Sequence, residues 1–368
     1  MKLSQSKRLV VKVGSSTLIG EDGKLRRSWF AALAEDIAGL AARGAQVIVV
    51  TSGAVALGRS VLGIASGPLK LEEKQAAAAC GQIVLSEAWR EALMKRSLAC
   101  AQLLLTIDDS ENRRRYLNAR TTLETLLEHN VIPVINENDT VATAELRFGD
   151  NDRLAARVAQ MASADTLILL SDIDGLYDKN PHADKNAKHI AEVREITAEI
   201  TGMAGIALSG VGTGGMVTKI EAAQIALAAG CHMAIAPGHA NHPLKQLQEG
   251  GKATWFIASS TPKSARKHWI SGSIAPAGVI TVDDGAAEAL GKGKSLLPAG
   301  VTAIQGQFGR GDAVIIKNAK GQELGKGLIA YSHEDAIRIL GHKSQDIEQI
   351  LGFKGRSALI HRDDLVLR

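Results

Sequence analysis

An α/β architecture is predicted for residues 1–258: a mostly parallel central sheet covered by helices on both faces. A small β-barrel is predicted over residues 277–355, after a linker at 259–276 and before a tail at 356–368. Three observations carry this. Short apolar, β-branched runs alternate with stretches of helical periodicity through the first two thirds of the chain. Most of those runs end in a polar or glycine-containing turn. Near Ala258 the rhythm changes to short alternating strands parted by glycine-rich turns.

Taken in order, residues 8–13 (Arg-Leu-Val-Val-Lys-Val) read as a buried strand running into Gly14-Ser15-Ser16-Thr17. Lys12 is expensive there unless it meets an anion. An edge-strand lysine could snorkel to water, but its place at a strand's carboxyl end before a turn points it into a ligand crevice. Residues 28–42 have helical spacing, and Gly44 stops them. Residues 46–50 form a strand ending in Thr51-Ser52-Gly53-Ala54. Residues 71–95 are helical, 98–105 a strand candidate and 113–129 helical, with a basic run at 113–115 that suits a solvated face or a subunit contact. The strand at 131–135 ends in Asn136-Glu137-Asn138-Asp139-Thr140, and Phe148-Gly149-Asp150-Asn151-Asp152 opens a helix over 153–161. Either polar cluster alone could be turn and cap chemistry; two of them near element ends suggest a site. The strand at 166–170 ends in Ser171-Asp172, residues 202–209 read as irregular, and a helix over 218–229 precedes the strand at 233–236.

Composition narrows the function. A hydrophobic fraction of 45% and a charged fraction of 22% are ordinary for a globular protein. A net charge of +4 and an aromatic fraction of 3% argue against a protein devoted to a polyanion or to base stacking. No apolar run reaches spanning length, and Lys12 interrupts the first one, so neither a membrane span nor a signal peptide is expected. Cys80, Cys100 and Cys231 lie apart without a C-x-x-C pair and read as buried thiols in a reducing cytoplasm.

The stretch Gly210-Val-Gly-Thr-Gly-Gly-Met-Val-Thr-Lys219 is a glycine-rich loop entering a helix. Such a loop brings main-chain N–H groups and the positive end of a helix dipole to an anion. Thr213, Thr218 and Lys219 add donors and charge, so phosphate is the ligand that fits. The P-loop pattern fails for want of Gly-Lys-Ser/Thr. The dinucleotide pattern matches Gly210, Gly212 and Gly215 but lacks a preceding strand and a later acid. A surface turn without a ligand is the plain alternative.

Val11-Lys12-Val13-Gly14-Ser15, Thr51-Ser52-Gly53-Ala54, Asn136-Glu137-Asn138-Asp139, Phe148-Gly149-Asp150-Asn151-Asp152 and Gly212-Thr213-Gly214-Gly215-Met216 occur together in this order. This set resembles the amino-acid kinase family, and most of all those members that open proline synthesis. Gly285, Leu296-Leu-Pro-Ala-Gly300, Phe308-Gly-Arg-Gly-Asp312 and the turn at Gly321 resemble a PUA domain. The resemblance implies an α/β/α sandwich, MgATP as donor and the γ-carboxylate of L-glutamate as acceptor. It implies that Lys12 and Lys219 neutralise the transferred group, that Asp150 orients them, and that Gly53 adds a backbone N–H. It puts Ser52, Asn136, Asp139 and Asn151 on the acceptor. It puts Lys12, Ser171, Asp172, Thr213, Gly214, Gly215, Met216, Val217, Thr218 and Lys219 on ATP, with Mg²⁺ held by phosphate oxygens and water and no protein metal ligand. Proline as feedback inhibitor, a homo-oligomer (dimer or tetramer), a cytoplasmic setting and hand-over to a glutamate 5-phosphate reductase are further expectations. The alternatives are another acceptor (aspartate, N-acetylglutamate, carbamate or UMP) and RNA binding through the β-domain. Near-equal acidic and basic content over residues 277–354, without a basic stripe, counts against RNA.

Overall fold

The computed structural model describes residues 3–20, 23–65, 67–141, 151–181, 183–206, 215–272 and 275–367. The chain divides into two compact units, Met1–Pro262 and Lys263–Arg368.

In the first unit, β1 (Arg8–Val13) leads through the one-turn α1 (Ser15–Leu18) to α2 (Arg27–Ala42) and β2 (Gln46–Val50). Then come α3 (Ala54–Leu62), α4 (Leu71–Met94), β3 (Cys100–Leu105), α5 (Ile107–Glu111), α6 (Arg113–Glu128) and β4 (Ile132–Glu137). The second half holds α7 (Asn151–Met161), β5 (Thr166–Ser171), the short strands β6 (Leu176–Tyr177), β7 (His189–Ile190) and β8 (Glu192–Val193), then α8 (Ala198–Ile206), α9 (Met216–Ala228), β9 (His232–Pro237), α10 (Pro243–Gln248) and β10 (Thr254–Phe256).

Eight strands form one sheet in the order β3-β4-β2-β1-β5-β9-β10-β8. All its pairings are parallel except β10 against β9. Side chains alternate between two apolar layers, as strand geometry requires. Val10, Ile48, Val50, Leu167 and Leu169 face a core shared with α6, α7 and α9. Leu9, Val11, Val47, Val49, Ile168 and Leu170 face a core shared with α2, α4 and α10. The strands are therefore buried on both sides, which is why they read as near-continuous apolar runs.

Chain order reverses beside β1: β2 lies on one flank and β5 on the other. Connections leaving a parallel sheet in opposite directions open a crevice beyond the carboxyl ends of the strands. One wall of that crevice starts from a tight helix contact. A Cβ on Gly58 of α3 would lie 1.7 Å from the Ala77 carbonyl oxygen, and one on Gly81 of α4 would lie 1.8 Å from that of Ala54. Any side chain at either position would force the helices apart.

In the second unit, α11 (Pro262–Gly272) precedes β11 (Gly278–Val282), α12 (Asp284–Gly291), β12 (Val301–Gly306), β13 (Ala313–Asn318), β14 (Glu323–Leu328), α13 (His333–Ile339), α14 (Ile347–Leu351) and β15 (Leu365–Leu367). The five strands form one sheet, β12-β11-β13-β14-β15, antiparallel but for β11 with β13. The β-domain is present, and its boundaries are wider than the composition suggested. Residues expected as a linker form α11, anchored by Ile270 against Ala313 and Leu328. Residues expected as a tail supply Leu359, Ile360 and Leu365 to the main core of this unit, and an edge strand on β14. Arg266 also pairs with Asp364 at 2.5 Å. The stretch expected to be irregular before the glycine loop begins as α8; residues 207–214 of that loop lie outside the described residues.

Candidate active site

Lys12 shares the β1 face of Val10, so its stem runs toward the helices α7 and α9 rather than to solvent. There it meets Asp152, in the first turn of α7, at 2.6 Å. Lys219 of α9 reaches the other oxygen of the same carboxylate at 3.1 Å. All three groups are buried. Burial alone would push the Asp152 carboxyl up, but the two ammonium charges and their hydrogen bonds outweigh it and hold the pKa at about 2. Thr218 donates a further hydrogen bond to Asp152 Oδ2 at 3.1 Å. Asp152 is the residue that motif reading passed over. The orienting role was expected of Asp150, which lies outside the described residues. The signal that favours Asp152 is its place on a helix start, where an acid also meets the positive end of the dipole.

A second network sits beside the first. Asn151 Nδ2 lies 2.6 Å from the Thr51 carbonyl oxygen, 2.8 Å from Ser52 Oγ and 3.0 Å from Asn136 Oδ1. Three acceptors around one amide nitrogen fix the orientation of the amide, because a flip would set oxygen against oxygen. Asn151 Oδ1 is thereby left buried, and among the described residues it has no hydrogen-bond partner. The Asn151 nitrogen is committed to protein acceptors, and the atom left over is an acceptor.

Both networks border a cavity of about 390 Å³, within the usual range for a small-molecule site. Lys12, Ser52, Gly53, Asn136, Asp139, Asn151, Ser171, Asp172 and Lys219 all line it. Gly53 has φ 102°, a left-handed conformation natural to glycine, and it starts α3 without a side-chain cap. The first-turn residues Ala54, Val55 and Ala56 face the same cavity, so that helix end presents N–H groups and positive dipole to it. Ser171 donates to Asp172 at 2.8 Å. Burial pushes the half-buried Asp139 carboxyl up to about 6.

Gly215, Met216, Val217 and Thr218 form the uncapped start of α9 but are not among the residues lining the cavity. Thr213 and Gly214 lie outside the described residues. Gly14, Ser15 and Ser16, together with Arg59 and Lys74, line the cavity without having been singled out as site residues. Their signal was positional: the first three follow β1, and the other two sit on α3 and α4. The cysteines are all free; Cys231 is buried, while Cys80 and Cys100 are only half-buried. Among the described residues no helix is long and apolar enough to cross a membrane.

Residues 7–237 match the amino acid kinase family, and residues 278–351 match the PUA domain. A glutamate 5-kinase of Paramagnetospirillum magneticum is 60% identical over 366 residues, 99% of each chain. One of Rhodospirillum rubrum is 58% identical over 359 residues, 97% of this chain and 96% of the relative. One of Nitrobacter hamburgensis is 56% identical over 368 residues, 100% of this chain and 97% of the relative. The chain belongs to the amino acid kinase family, in its glutamate 5-kinase branch, and carries a C-terminal PUA domain.

Proposed function

We propose that this chain transfers the terminal phosphoryl group of ATP to the γ-carboxylate of L-glutamate, giving L-glutamate 5-phosphate, the first step of proline biosynthesis. The observation that carries the reading is the pair of buried ammonium groups, Lys12 and Lys219, held on Asp152 at the edge of the cavity.

The acceptor carboxylate has an ordinary pKa of about 4.3 and is ionised at neutral pH, so no general base is needed. The obstacle is the approach of two anions. Phosphoryl transfer is served by alignment and by charges placed where the equatorial oxygens will be. Lys12 and Lys219 supply those charges. Asp152 keeps both side chains in place before the substrates arrive, so little reorganisation remains at the moment of transfer. Gly53 and the start of α3 add N–H donors at the same point. Mg²⁺ enters with the nucleotide as MgATP, held by phosphate oxygens and water.

At the other side, Asn151 Oδ1 and the Asp139 carboxylate are acceptors suited to the substrate ammonium, and Ser52 Oγ is suited to a carboxylate. Ser171, Asp172 and the start of α9 take the nucleotide in this reading. Proline as feedback inhibitor would meet the same ammonium-binding acceptors. A dimer or tetramer is part of the proposal, supported by the exposed apolar side chains Val61, Ile83 and Val84 on α3 and α4. The acyl phosphate product is reactive, which favours rapid hand-over to the reductase that consumes it.

Hydroxylamine traps an acyl phosphate as a hydroxamate. Incubation with MgATP and L-glutamate should give γ-glutamyl hydroxamate, with little from L-aspartate and none from a Lys12→Ala variant. Product from aspartate instead of glutamate would overturn the acceptor assignment, and product without Lys12 would overturn the mechanism.

A further inference from the structure

Asn136 does not choose its own orientation. Its Nδ2 donates to Gln82 Oε1 at 2.8 Å, and this turns Oδ1 toward Asn151. Gln82 lies on α4 and is absent from the residues lining the catalytic cavity. It is oriented in turn: its Nε2 donates to Ser86 Oγ at 3.1 Å. The Ser86 hydroxyl has oxygen partners in the Gln82 carbonyl at 2.7 Å and in Gln102 Oε1, on the edge strand β3, at 2.9 Å. A hydroxyl has one proton, which these two oxygens share, and its lone pairs accept from Gln82 Nε2. The row runs Asn151, Asn136, Gln82, Ser86, each donating to the next, and the Thr51 carbonyl anchors its inner end.

From this we infer that Gln82 is a positioning residue for the acceptor subsite, acting through Asn136 on Asn151. The inference rests on the function proposed above and concerns how that site reads its substrate. With Gln82 Oε1 in place, each end of the Asn136 amide has a partner, Nδ2 on Gln82 and Oδ1 on Asn151. Without it, Asn136 Nδ2 has lost its acceptor, Asn136 holds Asn151 less firmly, and the Thr51 carbonyl and Ser52 Oγ are left to keep the Asn151 amide in register. The nucleotide end, built on Lys12, Asp152 and Lys219, has no member in this row.

The test compares Gln82→Leu, which removes the acceptor, with Gln82→Glu, which retains an oxygen for Asn136. KM for L-glutamate in the Leu variant should rise about tenfold, while KM for MgATP stays within about twofold and the Glu variant stays within about threefold of the parent. Glutarate, which lacks the ammonium, gives a readout that a merely structural role would not move. Its inhibition constant against glutamate should be the same in the parent and both variants. An unchanged glutamate KM in a folded Leu variant would overturn the inference. So would equal losses for glutamate, glutarate and MgATP, or a Glu variant as impaired as the Leu variant. A parent chain that forms no glutamyl hydroxamate would overturn the proposed function itself, and this inference with it.

Discussion

In the proposed function, the two sides of the cavity solve different problems with different materials. At the phosphoryl side, two lysines and one aspartate are buried together, and charge holds the geometry. At the acceptor side, Asn136, Asn151 and Ser52 are joined through neutral amide and hydroxyl groups, and hydrogen-bond direction holds the geometry. A charged cluster tolerates small displacements, because Coulomb attraction changes slowly with distance. An amide network discriminates by polarity, since donor facing donor costs a whole bond. The first arrangement suits neutralising a spread phosphoryl charge; the second suits telling an ammonium from another group.

If the phosphoryl side depends on charge, Asp152→Asn should produce the largest effect. It leaves two ammonium groups facing each other without their shared carboxylate. A fall in kcat of about a thousandfold is expected, with a loss of roughly 3 kcal/mol in stability, as for a buried ion pair broken on one side. Steady-state kinetics and urea denaturation check both. A variant with near-normal kcat would remove Asp152 from its central place.

Asn151→Ala should come next, and it should distinguish the two sides. Loss of the amide is expected to raise KM for glutamate about a hundredfold and to change KM for MgATP by less than about threefold. Equal losses for both substrates would mean that the division between the sides is false.

The pH profile separates them without mutation. Asp139, pushed up to about 6, is protonated and neutral below that pH and cannot pair with an ammonium; above it the carboxylate is ionised and can. KM for glutamate should therefore fall about tenfold between pH 5 and pH 7, as the ionised fraction rises. Asp152, at about 2, stays ionised throughout, so KM for MgATP should lack this step. The step should vanish in Asp139→Asn.

The smallest effect is expected of Thr218→Val. It deletes one hydrogen bond to a carboxylate that both lysines still hold, so kcat should drop only about threefold. A loss as large as that of Asp152→Asn would show that the cluster depends on the hydroxyl rather than on charge.

Much of this was legible beforehand. The α/β rhythm placed β1, β2, β4 and β5, because strands buried on both faces leave apolar runs between polar turns. It also placed Lys12, Ser52, Asn136 and Ser171 at strand ends, and the cavity gathers them there. α11 and β15 were hidden in segments whose composition resembles linker and tail, since Ile270 sits in a mostly polar stretch and β15 is only 3 residues long, and both find partners only in the folded second unit.

The sequence by itself determined which residue types meet at the carboxyl end of the sheet, for period and turn chemistry are local properties. By resemblance it named Asp150 and left out Asp152, the carboxylate that both lysines meet, and it could not say which atom of Asn151 is left without a protein partner among the described residues. Those choices depend on where α7 and α9 lie over β1 and on an amide orientation set by the Thr51 carbonyl and Asn136, contacts between residues up to 140 positions apart. Only tertiary packing brings such groups within bonding distance, and only there do charge and hydrogen-bond polarity select one arrangement.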